Sequence, residues 1–149
     1  MIYLLVKLIH ILSAIVAVGA NVTYAVWFAR ANANPASAGF ALRGVKLIDD
    51  RIANPAYGLL LVTGVLDVWI GGIGFGTRWV SWALGAFIVV GLVAFVGYTP
   101  TLKRQLAAVE RGGPADPEAV RLAQRGQVLA AVMGVLVLVI LVLMVFKPR

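Results

Sequence analysis

The chain has 149 residues, 62% of them hydrophobic and only 13% charged, with a net charge of +7 and a mean hydropathy of +0.97. Those values exclude a soluble domain, because too little polar chain remains to cover the apolar runs. Zero cysteines exclude disulfides, thiolate nucleophiles and cysteine-ligated metals.

Four apolar runs, about 2–28, 55–75, 79–99 and 128–146, approach or exceed the roughly 20 residues that a bilayer-spanning helix needs. The expected fold is all-α: a polytopic membrane protein whose four transmembrane helices form an antiparallel bundle, with residues 1–149 as one four-span domain. The first run carries Lys7, the only histidine (His10) and Asn21. A helix advances about 100° per residue, so these three share a stripe with Ala14 and Ala17. Polar groups in hydrocarbon face a bundle interior or a cavity, which marks this stripe as the protein-facing side. Val18-Gly19-Ala20 has the small residues a signal peptidase accepts, but the apolar run continues to Phe28, and a retained span is expected.

Arg30 and a turn at Asn32, Asn34 and Pro35 follow. Residues 37–52 form an amphipathic connector with Ala41, Val45, Ile48 and Ile52 on one face, expected to pack on the bundle. Asn54-Pro55 is expected to open the second span, since proline is tolerated in a first helical turn. Along that span Tyr57, Gly64, Asp67 and Gly71 share a side, and the two glycines allow another helix to approach closely. The glycine-rich run from Gly71 to Gly76 lacks the Lys-Ser/Thr and the flanking strand of a phosphate loop, and reads as a tight interhelical turn. Trp79 and Trp82 mark the start of span three as interfacial aromatics do. That span ends at Tyr98-Thr99-Pro100, and residues 103–111 continue as helix beyond the membrane before Gly112-Gly113. Asp116-Pro117-Glu118 reads as N-cap, first-position proline and first-turn acid of a last helix that carries Arg121 and Arg125, then Met133, Gly134 and Met144.

The basic residues are distributed among the loops beside the spans, with no aromatic-interleaved patch, which excludes a nucleic-acid partner. Nine of them (Arg30, Arg43, Lys46, Arg51, Lys103, Arg104, Arg111, Arg121, Arg125) fall in the two long loops; Lys7, Arg78, Lys147 and Arg149 fall on the opposite side. The positive-inside rule then places both long loops in the cytoplasm and both termini outside. This orientation brings Lys7, His10, Asp67, Trp79, Trp82, Met144 and Lys147 to one depth, the outer leaflet. An ionisable residue within a span points to a site and a partner, so Asp67 is expected to pair with Lys7 or with protonated His10. The plain alternative is a charge-neutral Lys–Asp pair and a histidine satisfied by backbone or water. The sharper one makes His10 an axial ligand to haem or another porphyrin, or a proton relay. One histidine excludes bis-His ligation within one chain. One histidine, three methionines and no cysteine make a thin copper set. Ser13 near His10, without an orienting acid, does not make a hydrolytic site, and no catalytic residue is assigned.

At these residues the chain resembles a family. Lys7-x-x-His10-x-x-Ser13-Ala14 with Gly19, Pro55 with Thr63-Gly64, Pro100 with Lys103-Arg104, and Met144-Val145-Phe146-Lys147-Pro148 look like a bacterial family of small predicted integral membrane proteins of unknown function. That family is more distantly similar to the HemJ-type protoporphyrinogen oxidases and the CopD-type copper-resistance proteins. The resemblance implies a multi-pass protein of the bacterial inner (plasma) membrane, His10 as a candidate ligand of haem b, and Lys7 or Lys147 as partners of acidic groups. The expected polar bundle interior comprises Lys7, Asn21, Asp67 and Lys147. Three functions follow as expectations: a haem- or porphyrin-binding, redox-related protein; a non-catalytic accessory or structural subunit of a larger membrane complex; and, less favoured, ion or small-solute transport. The expected partners are the lipid bilayer and a homodimer or larger membrane complex.

Overall fold

The computed structural model describes residues 1–148, which are helical except for short turns. Arg149, one of the basic residues counted on the side of the termini, lies outside the described residues. Helix α1 (Ile2–Ala33) is a single rod of 32 residues, about 48 Å at ~1.5 Å per residue. Helices α2 (Ala38–Ile48) and α3 (Asn54–Ile70) are joined by a π-helical turn, Asp49–Ala53. Helices α4 (Arg78–Leu92) and α5 (Thr99–Gly112) are likewise joined by a π-helical stretch, Val93–Tyr98. Helix α6 (Pro117–Phe146) completes the chain. The result is four continuous rods, Ile2–Ala33, Pro35–Ile70, Arg78–Gly112 and Pro117–Phe146, each long and apolar enough to cross a membrane.

The two π turns have a common cause in the sequence. Asn54 N–H donates to the Asp49 carbonyl and Thr99 N–H to the Ala94 carbonyl, five residues back in each case, and a proline follows each donor. Proline has no N–H and its ring crowds the carbonyl four residues earlier. A turn wider by one residue relieves that crowding without breaking the rod. Pro55 stands in the first turn of α3, as the sequence suggested, but the π turn joins α3 to α2 in one continuous rod. The extra residue also rotates the buried face. Val45 is fully buried as expected, but Ile52 is 47% exposed, and Asp49 and Ala53 take the inward positions.

The other helix ends follow their local chemistry. Gly72 (φ 64°) turns left-handed after α3, with Gly72 N–H donating to the Trp69 carbonyl and Ile73 N–H to that of Val68, the Schellman pattern. Asp116 Oδ1 accepts from the Glu118 and Ala119 amides at 2.8 and 3.2 Å, capping α6 as the sequence predicts.

The rods form two hairpins. Helix α1 packs along α2 and α3, while α6 packs along α4 and α5, and the hairpins meet where α2 lies against α5. The packed core sits at this end, the end of the long loops, around Tyr24, Leu42, Val45, Ala53, Tyr98 and Leu102. Arg43–Glu110 at 2.8 Å ties α2 to α5, and Arg111–Glu118 at 3.1 Å ties α5 to α6. Both pairs are solvent-exposed and contribute at most about 1 kcal/mol each. Toward the other end, where the termini lie, the hairpins enclose a cavity instead of a core.

Candidate functional site

The stripe on α1 faces α3, as its polar residues predict. Ser13, Ala17, Ala20 and Tyr24 are buried along it, while Ile15, Val22 and Val26 on the other sides are exposed. Three contacts register the two helices. Tyr3 packs on Gly71, the His10 ring lies on Gly64, and Asn21 Nδ2 donates to Tyr57 Oη. The expected glycine face of span two is thus real, and what approaches it closely is side chains of α1. A Cβ on Gly64 would stand 2.9 Å from His10 Cε1, inside van der Waals contact.

His10 Nδ1 lies 3.1 Å from Thr63 Oγ1. The Thr63 hydroxyl proton is already committed, donating to the Leu59 carbonyl at 2.7 Å with a weaker share to Leu60 at 3.3 Å. With that proton on the Leu59 carbonyl Thr63 accepts from the ring, an arrangement that assigns the ring proton to Nδ1 and leaves Nε2 of the neutral ring its lone pair. Ser13 is not part of this group; its hydroxyl donates to the Ile9 carbonyl at 2.8 Å, a bond within its own helix.

The charged residues assigned to the bundle interior are placed differently. Asp67 lies on α3 one turn from Thr63, and its Oδ1 is buried with no hydrogen-bond partner. No Lys7–Asp67 ion pair occurs among the described residues; the Lys7 ammonium stands over the Tyr3 ring, 5.5 Å from its centroid. A long lysine stem bends readily toward the membrane surface, where water solvates the ammonium. Lys147 is exposed, caps α6 with a left-handed backbone (φ 46°) and stands 5.5 Å over the Trp79 ring, so it is not an interior residue. Lys147, Met144, Trp79 and Trp82 belong to the other hairpin.

A second group, apart from Asn21 and Tyr57, was not singled out by sequence. Between the hairpins lies a cavity of about 850 Å³ with an apolar wall and a polar floor. At the floor Tyr24 donates to Asp49 Oδ1 at 3.2 Å and Asn54 Nδ2 to Asp49 Oδ2 at 3.4 Å. Asn21, Tyr57 and Tyr98 also line it, and the Tyr98 hydroxyl is buried without a partner. Asp49 and Tyr98 each lie in one of the two π turns. The available signal was the repeated pattern of a polar residue followed by proline, Asn54-Pro55 and Thr99-Pro100.

The model of a family described as predicted integral membrane proteins (DUF2269) matches residues 4–148. The chain belongs to this family. It is a multi-pass integral membrane protein with four spans. No curated protein and no solved structure matches it. As a DUF2269 protein its exposed aliphatic and aromatic side chains, Ile15, Val22, Phe95 and Leu138 among them, face lipid. Within this DUF2269 chain the described residues contain no cluster of three His, Asp or Glu side chains placed to hold a metal ion. The donor set at His10 is a single imidazole nitrogen, too few for a protein-built metal cage.

Proposed function

We propose that this DUF2269 protein binds haem or a related porphyrin at the end of the bundle where the termini lie, with His10 as its one protein ligand. The observation that carries the reading is the hydrogen bond from Nδ1 to Thr63, which leaves the Nε2 lone pair free. Metal-binding histidines are oriented in this way, through an N–H bond from the other ring nitrogen. The resemblance of Lys7-x-x-His10 to the HemJ-type pattern supports the same assignment. When bound, the macrocycle's iron supplies one-electron redox chemistry. Thr63 fixes the ring tautomer, Gly64 gives the ring its place against α3, and Lys7 offers a cation to an acidic substituent near the membrane surface. Met133 and Met144 lie on α6 in the other hairpin, and any further ligand would come from outside the chain or from a two-fold homodimer. The excess of basic residues in the long loops supports a cytoplasmic position for α2 and α5, with His10 then in the outer leaflet.

The test is an absorption spectrum of the protein purified in mild detergent from cells supplied with haem, first oxidised and then reduced with dithionite. A stoichiometric Soret band that sharpens on reduction is expected, and its loss in His10→Ala with helicity retained. An unchanged band in that variant rejects His10 as ligand. Thr63→Val should keep the band but weaken haem binding by about 10-fold to 100-fold. A second reading, an accessory subunit of a larger membrane complex, draws on the unpartnered Asp67 Oδ1, which a donor from another chain would satisfy. A featureless spectrum, with a co-purifying membrane protein released by Asp67→Leu, would favour it.

A further inference from the structure

The cavity between the hairpins is separate from the His10 group, since His10 does not line it. Its wall spans Gln127 to Leu141 on α6, about 21 Å at ~1.5 Å per residue, more than half the roughly 30 Å thickness of a bilayer's hydrocarbon. Its volume lies within the roughly 300–1,000 Å³ range of small-molecule sites. Lining residues Val22, Ile88, Phe95 and Leu138 are all more than half exposed, so the mouth opens sideways into lipid.

Two features show that this space is built. Gly58, Gly91 and Gly134 line it from α3, α4 and α6, and a Cβ on any of them would meet nothing within 4 Å. Small residues that normally bring membrane helices together here hold the hairpins' facing sides open. The Tyr98 hydroxyl provides the second feature. The residue is 4% exposed, lines the cavity, and has no hydrogen-bond partner, at a cost that buried hydroxyls seldom bear.

The floor also fixes the chemistry of what would be bound. Its polar groups are phenols and amides together with Asp49, whose two oxygens already accept from Tyr24 and Asn54. A smaller crevice of about 260 Å³ adjoins it at Tyr98 and Gln127 and is lined by Asn32, Gln105 and Gln124. Among the described residues neither space is lined by lysine or arginine. An anionic head would face Asp49 without a counter-charge, at a high cost in a dry interior.

We infer that the cavity binds an uncharged amphiphile from the bilayer, one apolar tail carrying a carbonyl or hydroxyl oxygen that accepts the Tyr98 hydrogen bond. Quinones and long-chain or prenyl alcohols share this chemistry. The tail lies along α4 and α6, and the head reaches the Tyr98 hydroxyl and the Gln127 amide. This inference does not rest on haem binding at His10.

The test uses the full chain in phosphatidylcholine nanodiscs with a photoreactive diazirine alcohol, the matching diazirine fatty acid, and mass-spectrometric mapping of the labelled peptides. The alcohol is expected to label α4 and α6 lining peptides at up to one per chain. Unlabelled long-chain alcohol or a short-tailed benzoquinone should compete, and whichever competes at lower concentration identifies the source of the oxygen. At pH 8 the acid should label at least threefold less. Gly91→Leu, whose Cβ meets nothing within 4 Å and whose side chain extends into the cavity, should abolish labelling while helicity and melting temperature hold. Tyr98→Phe should weaken competition by about threefold to tenfold. Equal labelling by alcohol and acid, labelling that survives Gly91→Leu, or competition unchanged in Tyr98→Phe would each overturn the inference and leave the cavity a place filled by ordinary lipid tails.

Discussion

Replacing Gly64 by alanine tests whether the His10 ring is held where the geometry puts it. In an exposed helix interior, Gly→Ala is stabilising by up to about 1 kcal/mol, because glycine carries the larger backbone entropy cost. At Gly64 the new Cβ would lie 2.9 Å from His10 Cε1, against 3.4–4 Å for ordinary contact, so the ring must retreat by at least about half an ångström. A free side-chain tip would move at little cost. This ring is tied to Thr63 at 3.1 Å, and retreat strains or breaks that bond, worth about 0.5–1.5 kcal/mol. Adding the cost of overpacking, about 1–3 kcal/mol, makes Gly64→Ala a net destabilisation of about 1.5–4.5 kcal/mol relative to Gly58→Ala, in which the entropy gain is the same. Gly58 is the matched control on the same helix, where a Cβ meets nothing within 4 Å. The assay is unfolding of both variants in mixed micelles with rising SDS, followed by far-ultraviolet circular dichroism. A second round in a His10→Ala background should erase most of the difference, since the obstructing ring is gone. Gly64→Ala as stable as Gly58→Ala in the wild-type background would refute the close packing of His10 on α3.

Tyr24→Phe removes the hydroxyl that donates to the buried Asp49 Oδ1 and should cost about 1–3 kcal/mol by the same unfolding assay. Asp49→Asn in addition should recover part of that loss, because the amide needs less solvation than the carboxylate. Asp116→Ala removes the cap of α6 and should cost about 1 kcal/mol, seen as faster amide exchange at Glu118 and Ala119 with the rest of α6 unaffected. Lys7→Met and Asp67→Leu should behave nearly independently, with a coupling below about 0.5 kcal/mol, because the ammonium stands over Tyr3 and not on the carboxylate. Strong rescue of either single variant by the double change would show that the pair forms in the bilayer.

The reach of sequence reading differs from one part of the molecule to another. His10 and Gly64 were both legible, because helical periodicity fixes which face of a span is polar or small, and those faces meet. That His10 would find Thr63 was not, since a threonine in a span satisfies itself on its own backbone and leaves no hydropathy signal. Lys7 and Lys147 looked like interior charges by position alone. Their stems are long enough to carry the ammonium to a tyrosine or tryptophan near the surface, a choice that burial pattern does not encode. Asp49 shows the converse. An α-helical register drawn through Val45 puts Ile48 and Ile52 on the packed face; Ile48 packs on the core, but across the π turn before Pro55 Ala53 takes the inward position in place of Ile52, beside the buried Asp49.

The sequence by itself determined that the chain spans the membrane four times, the glycine turn after α3 and the cap of α6 at Asp116, and which face of α1 meets protein. These are local or one-dimensional properties: run length, hydropathy period, glycine and proline placement. Only the tertiary structure decided that the rods separate into two hairpins, that the core lies at the long-loop end, and that a lipid-facing cavity with a polar floor lies between them. Its lining comes from residues more than a hundred positions apart, Val18 and Leu141 among them, and its depth depends on glycines that meet nothing. An empty space leaves no pattern along a chain, because it is the product of how faces fail to touch.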